Sequence, residues 1–149
     1  MGMVDRRMGA WLQARVRGTV PTGARGAARE AAIEGLLDQA AHARATTGRR
    51  DVTRKALWRA ATFADGDARA LSMVAGDATL MDHGAFGHGV LGRAVAVAAT
   101  PAEARHVAAR ARALGFDDLA AAARARAERL PTPSWPARLA AWWRTTRFA

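Results

Sequence analysis

Alanine carries most of the apolar pattern of this chain, and that limits what it can fold into more than any other feature. Half of the 149 residues are apolar, too many for a mainly disordered chain. Leu, Ile, Val and the aromatics are few among them. Alanine is the strongest helix former, but it buries little surface. The expectation is close-packed helices whose core rests on a few large side chains: Trp11, Ile33, Leu36, Leu37, Leu57, Trp58, Leu71, Leu114 and Trp142. β-branched residues are scarce and apolar–polar alternation is not sustained, so no strand is expected. The fold class is all-α: a compact bundle, or a stack of three antiparallel helical hairpins with short basic N- and C-terminal helices.

Local signals divide the chain. Val4, Met8, Trp11, Leu12 and Val16 recur at helical spacing over 3–17, and Gly18 to Gly26 with Pro21 reads as a linker. A helix over 30–45 has Ile33, Leu36, Leu37, Ala40 and Ala41 on one face. Asp51 is the expected cap of a helix over 52–64 that buries Leu57, Trp58 and Ala61. Asp67 is expected to cap a helix over 68–81 that faces inward with Leu71, Val74, Ala75 and Ala78. The least regular stretch is 82–89, with a helix resuming by Phe86 and running to Ala99. Thr100-Pro101-Ala102-Glu103 is a capping box with proline at the first helical position. That helix should stop at Gly115, and Asp117 should cap another to Arg129. Pro131, Pro133 and Pro136 break the chain before a last helix over 137–147.

Charge follows the same division. Residues 1–29 carry six arginines against one aspartate, and 131–149 carry three arginines and no acid. The middle, 30–130, is nearly balanced, with fourteen basic and twelve acidic residues. Three units follow: a basic N-terminal helix and linker (1–29), a helical domain (30–130), and a Pro-rich break with a Trp/Arg helix (131–149). Basic ends on a near-neutral body suit an anionic partner. Of the basic residues only Lys55 is lysine, a bias that GC-rich coding also produces. There is no cysteine, so disulfides, thiolate zinc sites and a thiol nucleophile are excluded. Met1 to Val20 have no unbroken apolar core, so no signal peptide is expected. No stretch is apolar enough to span a bilayer. A cytoplasmic protein is the expectation.

Gly84, Phe86, Gly89, Ala96 and Pro101 resemble the second-helix spacing of a tetratricopeptide repeat, over about one repeat (70–101). Met73 and Asp77 stand where that family's first helix has an aromatic and a glycine. The resemblance implies helical hairpins and a concave face that binds a peptide or protein.

Five groupings bear on chemistry. Asp77, Asp82, His83 and His88 bring carboxylates and imidazoles together, and Asp82, His83 and His88 are candidate metal ligands or proton carriers. The five-residue step from His83 to His88 does not put both on one helical face. Ala85, Gly89, Gly92, Ala96 and Ala99 step by four and three, a seam of small residues for close helix packing. Gly84, Gly87, Gly89 and Gly92 lack the order and preceding strand of a dinucleotide loop. Glu30, Glu34, Asp38 and His42 share one helix and call for a basic partner, with Arg105 and Arg112 as candidates. The hairpin 101–129 could be a helix-turn-helix, but Asp117 and Asp118 would then face phosphates.

The fifth grouping points outward. Trp135, Arg138, Trp142, Trp143, Arg144 and Arg147, with Arg6, Arg7, Trp11 and Arg15 at the other end, are candidate partner-binding residues. Trp and Arg are the residues most enriched at binding hot spots. The leading expectation is a helical binding or adaptor module whose basic termini engage another protein or a second copy. A nucleic-acid-associated protein comes second, reading phosphates through the same ends. An enzyme or metal protein built on residues 77–88 comes third. No catalytic residue is assigned and no cofactor is expected.

Overall fold

The computed structural model describes residues 22–136, with side chains from Gly26 onward. The expected helices over 3–17 and 137–147 lie outside the described residues, as do Arg6, Arg7, Trp11, Arg15, Arg138, Trp142, Trp143, Arg144 and Arg147.

Each helix starts and stops for a local reason. α1 spans Thr22–Thr47, α2 Arg50–Ala64, α3 Ala68–Leu80, α4 Gly84–Val97, α5 Pro101–Ala113 and α6 Asp117–Arg129, with no strand among the described residues. The expected capping box is formed: Thr100 Oγ1 accepts from the Glu103 amide at 3.2 Å, and Glu103 Oε2 accepts from the Thr100 amide at 3.3 Å. Asp67 caps α3, its Oδ1 accepting from the Arg69 and Ala70 amides at 3.0 Å. Gly115 ends α5 at φ +78°. There the Phe116 amide bonds back to Ala111 O at 2.9 Å and the Gly115 amide to Arg112 O at 3.1 Å, a Schellman closure.

Other starts differ from expectation. Arg49 rather than Asp51 precedes α2, and Phe116 rather than Asp117 precedes α6, both without a side-chain cap. The irregular stretch shrinks to Met81–His83. Asp82 takes the left-handed position there (φ +64°), with the His83 amide bonded to Ala78 O at 2.9 Å. That closure lets α4 begin at Gly84. α1 begins at Thr22, inside the expected linker, because Ala27, Ala28, Ala31 and Ala32 carry the helix past Gly26.

Short connections join consecutive helices. Contact is most extensive between α1 and α2, α3 and α4, and α5 and α6. α3 also touches α1, α2 and α5, and α4 touches α5 and α6. The result is a compact helical bundle.

Ile33, Leu36, Leu57, Leu71, Val74, Leu91 and Val107 are the large apolar side chains fully enclosed. Alanine fills most of the remaining core. Thr53 and Ser72 are buried too, their hydroxyls bonded to the carbonyls of Arg49 (3.1 Å) and Ala68 (2.7 Å) one turn earlier.

Two expectations about the core are corrected. Trp58 is 62% exposed, and Leu114 is only partly buried. The buried side of α2 runs Thr53, Ala56, Leu57, Ala60, Ala64, and Trp58, the next residue after Leu57, is rotated about 100° away from it. The small-residue seam is also displaced. Ala85, Gly89, Ala96 and Ala99 are exposed and Gly92 is half-buried, while α4 buries Gly87, Val90, Leu91 and Ala94. The close helix approach occurs at Gly87, where an added β-carbon would stand 2.5 Å from Thr79 Oγ1 and 2.8 Å from Ala75 O.

Arginine ties the bundle together. Arg29 donates to the carbonyls of Phe63 and Asp65 at the end of α2. Arg44 donates to Leu80 O at 3.0 Å at the end of α3, and Arg126 to Ala98 O at 3.0 Å at the end of α4. Each guanidinium meets carbonyls at the C-terminal end of a helix, its negative pole.

Candidate partner-binding site

α2 presents to solvent what its sequence does not spend on the core. Arg54, Lys55, Trp58 and Arg59 are all exposed. Helical spacing sets Arg54 one turn before Trp58 and Lys55 one turn before Arg59. Among the described residues, Arg54, Lys55 and Arg59 have neither an ion pair nor a hydrogen bond from the side chain. Trp58 borders a groove of about 420 Å³ with Ala61, Leu71, Phe86, Val90 and Arg93. α2 and α4 supply most of its lining, and α3 supplies Leu71.

A second cleft, of about 690 Å³, adjoins the groove and shares Phe86 with it. Arg50, Arg54, Asp82, His83 and Ala85 contribute to its lining. Arg50 donates to Asp82 O at 3.3 Å. Burial, and then the charges of Arg50 and Arg54, push the His83 imidazole below its ordinary pKa.

The carboxylates around both cavities are engaged. Asp51 pairs with Arg49 at 2.7 Å, and that hydrogen bond holds its carboxyl below the usual range. Asp82 pairs with Arg44. Asp65 pairs with Arg93 at 3.0 Å, which lowers its pKa. None of these three carboxylates is paired with Arg54, Lys55 or Arg59 of α2.

The candidate ligands Asp82, His83 and His88 do not converge. Asp82 turns to Arg44, and His88 Nε2 lies 2.8 Å from Asp118 Oδ2, with its ring edge-on to Phe116. Among the described residues no group of three or more His, Asp or Glu is placed to hold a metal ion. Asp77 stands apart in a half-buried position, where burial raises its pKa against the opposing charge of Arg110.

Glu30, Glu34, Asp38 and His42 form a solvated face. Arg105 and Arg112 are exposed and do not pair with them. Arg110 is instead the α5 arginine that reaches α3, donating to Ser72 O at 3.4 Å. Over 101–129, Asp118 is held by His88, Arg124 bonds to its own helix at Ala120 O, and Arg126 closes α4. Of the candidate partner-binding residues only Trp135 lies among those described, and it is 72% exposed.

Sequence reasoning places Trp58 in the core and so does not find the α2 surface. Its signal was present: Arg54-Lys55-Ala56-Leu57-Trp58-Arg59 pairs tryptophan with cations, as the C-terminal segment does. Among the described residues no helix is long and apolar enough to cross a membrane. No family model, curated protein or solved structure matches the chain.

Proposed function

We propose that this chain is a helical protein-binding module of the cytoplasm, with a docking surface on α2 and α4 and basic ends that add to its hold on a partner. The observation that carries the reading is Trp58, 62% exposed beside an apolar groove and among unpaired cations. A large aromatic left in water beside a shallow apolar groove is the kind of residue that dominates binding energy when a partner covers it. The resemblance of Gly84, Phe86, Gly89, Ala96 and Pro101, within 70–101, to the second-helix spacing of a tetratricopeptide repeat supports the same class of function.

Affinity capture with the full-length chain tests it. Partners should be lost with Trp58→Ala, and weakened when Arg6, Arg7, Arg15, Arg138, Arg144 and Arg147 are changed to glutamine. A partner set unchanged by both variants would sink the reading. A second reading follows from the same residue, since tryptophan beside arginine also stacks on single-stranded bases. It predicts affinity for oligonucleotides that falls steeply with salt.

A further inference from the structure

We infer that the occupant of the α2–α4 groove is an acidic peptide segment carrying one large apolar side chain, which enters the groove beside Trp58 while its carboxylates meet Arg54 and Arg50. The inference rests on the protein-binding reading and specifies the partner's chemistry.

Charge complementarity carries it. Asp51, Asp65 and Asp82 are already paired with Arg49, Arg93 and Arg44. Arg54, Lys55 and Arg59 of α2 make no ion pair among the described residues, and Arg54 lines the cleft that adjoins the groove, so an acidic partner would supply their counter-charge. The groove supplies the other half of the recognition. Phe86 and Val90 line it with Trp58, and its shallow, open space of about 420 Å³ leaves room for an aromatic or leucine side chain laid against them.

Geometry sets the spacing. Arg54 and Arg50 lie one and two turns from Trp58 along α2, about 6 and 12 Å. Carboxylates displaced from the apolar anchor by those distances reach the cations while the anchor stays seated. A nucleic-acid strand would satisfy the cations and Trp58 but leave the apolar lining of the groove without a matching side chain.

The test is selection of a random displayed peptide library on the immobilised full-length chain, then affinity measurements with synthesised winners. The inference expects acidic winners with an aromatic or leucine anchor. Trp58→Ala should weaken them about 30-fold, as for a central aromatic anchor. Arg54→Glu should weaken them about tenfold. Circular dichroism melting would confirm that both variants remain folded.

Acidic winners indifferent to Trp58→Ala and Arg54→Glu would belong to the basic ends and overturn the inference. Neutral or basic winners lost with Trp58→Ala would also overturn it, while leaving a protein-binding module in place. Failure to enrich any peptide, with Trp58-dependent binding of single-stranded oligodeoxynucleotide, would overturn both.

Discussion

Arg110 of α5 lies across Gly76 of α3, so near that a β-carbon at position 76 would stand 2.4 Å from its Nη2. The contact joins the second helical pair to the third and brings the guanidinium toward the half-buried Asp77, whose pKa it restrains. Space at this position is filled by the far end of a flexible side chain. At Gly87 it is filled by the backbone carbonyl of Ala75 as well as by Thr79. At Gly89 nothing lies within 4 Å.

These three glycines should respond differently to alanine. All are helical, where alanine is intrinsically better by about 1 kcal/mol. Gly89→Ala should stabilise the fold by about that amount. Gly87→Ala should destabilise it by about 1–3 kcal/mol, the usual cost of overpacking. Gly76→Ala should fall between them, because Arg110 can swing away. Urea unfolding of the three variants checks the order, and a stabilised Gly87→Ala would refute the close approach of α3 and α4.

Leu57 and Trp58 are neighbours with opposite roles. Leu57 is fully enclosed, so Leu57→Ala should cost about 2–5 kcal/mol. Trp58→Ala should change stability by no more than about 0.5 kcal/mol, as is usual for surface substitutions. Thermal melts of the two variants separate these outcomes.

The α5 capping box should act as a unit. Thr100→Ala should cost about 1 kcal/mol. Glu103→Ala should cost less, although Glu103 Oε2 also accepts from the Ala99 amide at 2.8 Å. The double variant should cost less than the two added together, because each removes part of one shared arrangement. Chemical denaturation of the double-mutant cycle measures that coupling.

His83 should titrate below the ordinary histidine range, since burial and the charges of Arg50 and Arg54 disfavour its protonated form. A depressed folded-state value means that the unfolded chain takes up the proton first as pH falls. Its contribution to stability is therefore complete above the unfolded value of about 6.5 and is lost as pH drops from there toward the folded value. Arg54→Gln should move the His83 midpoint upward in an NMR titration. An unmoved midpoint would show that Arg54 does not act on His83.

Asp77 should behave in the opposite sense. Burial raises its folded-state pKa, so its ionisation opposes folding as pH rises through that value. Asp77→Asn should stabilise the protein at neutral pH, and removing Arg110 by Arg110→Met should enlarge that gain. Melting temperatures at neutral pH test both statements.

The all-helical class and several helix ends were legible in the residue order. Thr100-Pro101-Ala102-Glu103, Asp67 and Gly115 act on amides and carbonyls within a few positions of themselves, so their effect needs no neighbour. The candidate site was hardly legible. Its residues were all visible, yet the same Trp58 reads equally well as core or as surface until α2 has been rotated into place.

Alanine abundance and local capping by themselves determined an α-helical chain with ends near 67, 100 and 115. Only the tertiary structure decided which side of each helix is buried. In alanine-rich helices several faces are similarly small and apolar, so orientation follows from where a few large side chains and close approaches fit. Leu57 took the core position over Trp58, and Gly87 rather than Gly89 met the neighbouring helix. Arg29, Arg44 and Arg126 found carbonyls 28 to 36 residues away, a pairing that exists only once the helices stand side by side.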